Sequence, residues 1–74
     1  MTKIGKRITQ LRVAKEMTRY RLAKESNISF SYLNNIEEDK HNPSLDIIIK
    51  ISNCLGVTLD ELVKGEEASH EHTN

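Results

Sequence analysis

The chain has no tryptophan, one cysteine, no net charge and no long hydrophobic run. Its 74 residues, of which 36% are hydrophobic, suffice for one small domain with a modest core. No apolar stretch approaches the roughly 20 residues that cross a membrane. The amino terminus lacks the charged-then-apolar pattern of a signal peptide. We therefore expect a soluble, cytoplasmic protein with no membrane association.

Reactive side chains are also scarce. The single cysteine, Cys54, lies in an apolar helical stretch, where a small buried side chain is expected rather than a reactive thiol. No serine is accompanied by a histidine and an acidic residue in a recognisable catalytic arrangement, so we do not expect the protein to be an enzyme. His70, Glu71 and His72 lack the Cys/His spacing of a zinc site and are expected to be solvated. We expect no metal, cofactor or small-molecule ligand.

The charges are balanced in number but segregated along the chain. Through Lys24, eight lysines and arginines stand against one acidic residue, whereas three lysines stand against ten acidic residues from Glu25 onward. Local charge rather than net charge sets the field that a partner meets. The domain is expected to have a basic side, provided that its first two helices present their basic residues together.

Two short helices joined by a tight turn are predicted between Thr18 and Glu37, a geometry that places one helix in a DNA major groove. Thr18 and Ser29 are the expected N-caps, and each is flanked by an apolar pair suited to a hydrophobic staple. Asn27 can adopt the left-handed conformation that ends the first helix. The flanking pairs are Met17 with Leu22 and Ile28 with Leu33.

One further helix is predicted before this pair and two after it. The first runs from about Lys3 to Lys15 and buries a stripe of apolar residues at helical spacing. The fourth follows the N-cap Ser44 and ends at Gly56. A capping box of Thr58 and Glu61 begins a short fifth helix. The domain is expected to span residues 1–65, followed by a disordered polar tail over 66–74.

A frame of apolar, capping and turn residues begins at Met17 and reads MTRYRLAKESNISFSYLNNIEEDKHNPSLDIIIKISNCLGVTLDELV. With this frame the chain resembles the Cro and lambda-repressor-like helix-turn-helix family, also called the XRE family, of bacterial and phage regulators. The resemblance covers nearly everything before the tail. It implies an all-α, compact five-helix domain in which helix 3, from Phe30 to about Glu38, is the recognition helix. The matching positions are Thr18, Leu22, Ala23, Ile28, Ser29, Tyr32, Ile36, Glu37, Asn42, Pro43, Ser44, Leu45 and Leu55.

The resemblance also implies which side chains contact bases. Phe30, Ser31, Asn34 and Asn35 occupy the positions that point into the major groove. Asparagine pairs bidentately with adenine, serine donates or accepts, and phenylalanine contacts a thymine methyl group, so we expect a half-site containing A·T pairs. Helix periodicity independently places the three polar residues opposite the apolar stripe. The alternative is that they only solvate an exposed helix face.

Phosphate contacts are expected on both sides of the recognition helix. Arg19 opposes the macrodipole of helix 2, at a cost of about 0.3 to 1 kcal/mol, so a compensating partner such as a DNA phosphate is expected. Ordinary surface charge is the alternative. The resemblance places Lys40 and Asn42 beside the backbone beyond the recognition helix. Ser29 and Tyr32 complete the expected phosphate contacts.

Three consecutive carboxylates after the recognition helix work against DNA binding, because they repel phosphates. The family often pairs an arginine of helix 1 with the first of these acids, which implies a largely buried structural ion pair between Arg12 and Glu37. The other two, Glu38 and Asp39, either lower nonspecific binding or cap the turn.

A single domain of this size recognises a short site weakly, so a homodimer on a palindrome is expected. Helix 4 is apolar on more than one face, and we expect an interface from Ile47, the residue expected to be most exposed, together with Leu59 and Val63. An irregular monomer core is the alternative.

The sequence as a whole predicts a sequence-specific transcriptional regulator, with repression the commoner outcome in the family. It would bind double-stranded DNA; a member of the restriction-modification controller group is one variant of this hypothesis. The alternative is an antirepressor or antitoxin-like module that keeps the fold but binds another protein. DNA affinity would fall steeply with salt and be lost on Arg19→Glu, whereas binding of a protein partner would tolerate that change.

Overall fold

A computed structural model of the chain describes residues 4–64. It confirms the all-α architecture with five helices, and this part of the chain contains no strand. None of its helices is long and apolar enough to cross a membrane. The predicted domain end at residue 65, the tail and the three tail residues His70, Glu71 and His72 lie outside the described residues. The helices are α1 (Ile4–Ala14), α2 (Arg19–Glu25), α3 (Phe30–Glu37), α4 (Leu45–Leu55) and α5 (Leu59–Lys64).

The turn between α2 and α3 forms as the local sequence predicts. The Thr18 hydroxyl accepts a hydrogen bond from the Arg21 amide at 3.0 Å, and the Ser29 hydroxyl accepts one from the Tyr32 amide at 3.0 Å. Asn27 has a φ of 59°, in the left-handed region. Two N-caps and one left-handed residue therefore fix the direction in which α3 leaves α2.

The ends of α4 and α5 also follow the predicted capping residues. Ser44 accepts a hydrogen bond from an amide in the first turn of α4, and Gly56 ends that helix with a φ of 71°. The Thr58 amide donates to Glu61 Oε1 at 2.8 Å, and the Glu61 amide donates to Thr58 Oγ1 at 3.0 Å. The bonds from Thr58, the backbone one first, lower the pKa of the Glu61 carboxyl. The capping box is therefore formed in both directions.

Every helix contributes to one buried core. Its apolar stripes have helical spacing. The staple residues Met17, Leu22 and Leu33 lie inside it, and Ile28 is half-buried and packs against it. Cys54 is half-buried and packs against this core. The core residues are Ile8, Met17, Leu22, Ala23, Leu33, Ile36, Ile51, Leu55 and Leu62.

The exposed face of α4 differs from the prediction. The sequence favours Ile47 as the exposed member of the interface, but the structure shows it half-buried and packed against the core. The reason is that Ile47 lies one turn before Ile51 and two before Leu55, on the stripe that α4 buries. Leu45 and Ile49 are instead exposed, at 62% and 39%.

Helix α1 crosses the end of α3 at a distance that only glycine permits at the contact. A Cβ on Gly5 would press against the carbonyl oxygen of Ile36 and lie 2.9 Å from that of Glu37. The Gly5 amide donates to Asp39 Oδ1 at 3.0 Å. Asp39, with a left-handed φ of 59°, therefore caps the start of α1 from 34 residues away.

Candidate nucleic-acid interface

Helix α3 buries one face and turns the other to solvent. Leu33 and Ile36 are fully buried, whereas Phe30, Ser31 and Asn35 are exposed. Phe30 is 49% exposed. The exposed three lie on one arc of the helix, and the core holds the opposite arc in place.

A buried carboxylate ties α3 to the two helices before it. The Glu37 side chain has no exposed surface, and it accepts from Arg12 Nε at 2.8 Å and from Arg19 Nε at 2.9 Å. Thr9 Oγ1 donates to the same carboxylate at 2.8 Å. A buried carboxylate needs such compensation, because the desolvation of an unpaired charge is very unfavourable. This Glu37 cluster of Thr9, Arg12, Arg19 and Glu37 joins α1, α2 and α3.

The ion pair that the resemblance implies is thus present, with three further contacts that the sequence did not predict. Arg12 also donates to the carbonyl oxygen of Met17 at 2.8 Å, which fixes the chain entering α2. Arg19 and Thr9 join the pair from α2 and α1. The one signal in the sequence that Arg19 needs a partner is its place in the first turn of α2, where its charge opposes the helix dipole and no acidic residue lies nearby.

Arg19 contacts two further side chains besides Glu37, those of Asn34 and Glu38. Its Nε donates a hydrogen bond to Glu37, and its Nη1 donates one to the side-chain oxygen of Asn34. The Oε2 atom of Glu38 lies 3.9 Å from Nη1. Its side chain still exposes 32% of its surface. The partner expected for its charge is therefore found within the chain, and part of the guanidinium remains in solvent.

The loop after α3 carries a second exposed cation. Lys40 Nζ lies 3.1 Å from Glu38 Oε1, and its side chain is 68% exposed. Its hydrogen bond and charge, more than the charge of Arg19, lower the pKa of the Glu38 carboxyl. Ser29 and Asn42 are exposed. Ser29 directly precedes α3, and Lys40 and Asn42 lie in the loop that follows it.

Tyr32 and His41 bring the same loop onto α3. Their rings meet edge to face, with centroids 5.0 Å apart. Tyr32 is half-buried, and Lys40 directly precedes His41 in the chain. The ring contact therefore holds the loop that carries Lys40 close to α3.

The charge segregation along the sequence does not become a purely basic surface. Arg21 Nε lies 2.9 Å from Glu25 Oε2, and Arg12 and Arg19 share Glu37. Acidic residues from the second part of the chain thus pair with several of the early cations. Within residues 4–64, no group of three or more histidine, cysteine, aspartate or glutamate side chains could hold a metal ion.

Comparison with known proteins gives a family match over most of the chain. A family model described as helix-turn-helix matches residues 8–62. The immunity repressor protein of Bacillus phage phi105 is 39% identical over 64 residues, which cover 86% of this chain and 44% of that protein. The chain spans about half the length of the curated relatives it matches.

Two solved structures superpose closely on the fold. The restriction-modification controller protein C.AhdI from Aeromonas hydrophila is 35% identical with a TM-score of 0.79, over 81% of this chain and 91% of that one. SinR of Bacillus subtilis, a master regulator for biofilm formation solved in complex with DNA, is 36% identical with a TM-score of 0.77. That match covers 81% of this chain and 97% of the SinR chain.

Proposed function

The chain belongs to the helix-turn-helix family, and on this premise we propose that it is a transcriptional regulator. It binds double-stranded operator DNA in the cytoplasm and acts as a repressor. The observation that carries this proposal is the outward face of α3, where three groups able to contact bases stand exposed on a helix fixed by the core and the Glu37 cluster. The similarity to a regulator solved in complex with DNA supports it.

In this mechanism α3 enters the major groove. Phe30 contacts a thymine methyl group, Ser31 donates or accepts, and Asn35 pairs with adenine, so the half-site contains A·T pairs. Backbone contacts on either side set the register but carry no base specificity. We assign the phosphate contacts to Arg19, Ser29, Tyr32, Lys40 and Asn42.

We propose further that two copies bind a palindrome. Leu59 and Val63 are 38% and 52% exposed and lie one turn apart on α5, while Leu45 and Ile49 form a corresponding exposed pair on α4, which packs against α5. These four residues, rather than Ile47, supply the apolar surface of the interface. Burying them in a two-fold contact would pair two recognition helices for adjacent major grooves.

A comparison of two lysines tests the DNA contact. Lys40 and Lys64 are both exposed, at 68% and 64% of the side chain, and each is paired with one carboxylate. If Lys40 touches a phosphate, Lys40→Gln lowers the affinity for duplex DNA and reduces the slope of log affinity against log salt by about 0.9 for each copy bound. The measurement is a fluorescence titration of a labelled duplex at several salt concentrations. Lys64→Gln is the matched control and leaves the slope unchanged.

Equal salt slopes for the two variants would contradict the phosphate contact assigned to Lys40. An affinity for duplex DNA that does not fall with salt would contradict binding through the phosphate backbone and favour a protein partner as the natural ligand. The structure makes Arg19→Glu unsuitable for this purpose, because the new carboxylate would lie beside Glu37 and Glu38. Loss of binding in that variant would not separate a lost contact from a lost fold.

A further inference from the structure

We propose that the two adjacent asparagines of α3 have different roles: Asn35 reads a base, while Asn34 is a positioning residue that holds Arg19 for a phosphate contact. This inference rests on the proposed function and assigns a separate role in it to each asparagine. It departs from the prediction that both asparagines contact bases. The structural basis is the hydrogen bond between the Asn34 side-chain oxygen and Arg19 Nη1.

The side-chain oxygen of Asn34 is engaged within the protein, where it accepts from the Arg19 guanidinium. Since a guanidinium only donates, the oxygen of the amide rather than its nitrogen must face Arg19. Reading adenine requires the oxygen and the nitrogen to face one base edge together. Asn34 therefore cannot pair with adenine unless its contact with Arg19 breaks.

Asn35 differs from Asn34 in both its exposure and its hydrogen bonding. It is exposed, whereas Asn34 is half-buried, and its side chain makes no hydrogen bond within residues 4–64. Ser31 lies one turn before it on the same exposed stripe. Both ends of the Asn35 amide are therefore available for the bidentate contact with adenine N6 and N7.

The contact with Asn34 gives Arg19 a fixed direction. Glu37 holds Nε at 2.9 Å and Asn34 holds Nη1, so two of the three guanidinium nitrogens are used on the protein side. Arginine has five donors in a rigid fork, so the orientation of one edge determines the other. The Arg19 side chain keeps 32% of its surface exposed, so the donors that these two contacts do not use remain for a phosphate oxygen. Asn34 thus acts on DNA through Arg19.

The test compares Asn34→Ala with Asn35→Ala, the same substitution at neighbouring positions. Wild-type protein first selects a duplex from a random pool, and the affinities of the variants are then measured on that duplex and on its single base-pair substitutions. Asn35→Ala is expected to remove about tenfold discrimination at one A·T pair. Asn34→Ala is expected to weaken every duplex by the same factor, with the order of base preferences unchanged and a smaller salt slope.

A double-mutant cycle separates positioning from general loss of structure. Arg19→Gln alone should resemble Asn34→Ala, and the combined variant should bind DNA no more weakly than Arg19→Gln, because the two residues form one unit. Thermal unfolding of each variant gives the stability independently of DNA. A changed base preference in Asn34→Ala, an unchanged preference in Asn35→Ala, or additive losses in the cycle would each overturn the inference. Selection of no duplex by the wild type would overturn the proposed function as well.

Discussion

Replacing Gly5 with alanine is expected to lower the free energy of unfolding by about 3 kcal/mol, which is a large part of the stability of a domain this small. The new methyl group would press against the Ile36 carbonyl and also lie 2.8 Å from Asp39 Oδ1. Backbone carbonyls cannot move aside as a flexible side chain can, so α1 must shift from α3. That shift would also weaken the Asp39 cap and the Glu37 cluster, both of which need the close crossing.

Gly56→Ala is the matched control for this substitution. Gly56 has a φ of 71°, so alanine is strained there by about 1 kcal/mol, but its Cβ would meet only the flexible end of Lys15, at 3.5 Å. Urea unfolding followed by circular dichroism measures both. We expect Gly5→Ala to be clearly the less stable of the two. A Gly5→Ala domain as stable as Gly56→Ala would contradict the close crossing of α1 and α3.

Glu37→Gln is expected to reduce stability by about 3 kcal/mol, because removing one member of a buried charge cluster leaves the others uncompensated. Glutamine keeps the shape of the side chain but removes the negative charge that two guanidiniums share. One end of its amide would then point an N–H group at an arginine donor. The loss includes the connection of α3 to both preceding helices, so α3 would also be less firmly oriented for DNA.

The control is Glu25→Gln, which removes an exposed charge paired with Arg21 one turn away on α2. Exposed pairs of this kind contribute about 0.5 kcal/mol or less, so little change is expected. Thermal unfolding monitored by circular dichroism compares the two variants at neutral pH. If they lose the same stability, the Glu37 cluster is not the structural connection between α1, α2 and α3 that its geometry indicates.

The features that the sequence predicted well depend on neighbouring residues. Thr18, Asn27 and Ser29 act within one turn of their own position, because caps and left-handed helix ends satisfy local backbone groups. Gly56 and the Thr58 capping box obey the same rule. Local chemistry of this kind reproduces the five helices with bounds shifted by a residue or so.

The features that it missed depend on how helices are placed against each other. Asp39 caps α1 across 34 residues of sequence, and nothing near Asp39 in the chain indicates that partner. The engagement of Asn34 with Arg19 likewise requires the packing of α2 on α3. Ile47 was assigned to the surface because a run of isoleucines fits several helical faces equally well. Only the position of the core selects among them.

The central claim is that this domain reads a specific DNA sequence through α3, and selection of bound duplexes from a random pool at moderate salt tests it most directly. We expect enrichment of a palindrome with A·T pairs in each half-site and half-site centres about one helical turn apart. That spacing would also support two copies joined through α4 and α5. Recovery of sequences no different from the starting pool would contradict the account.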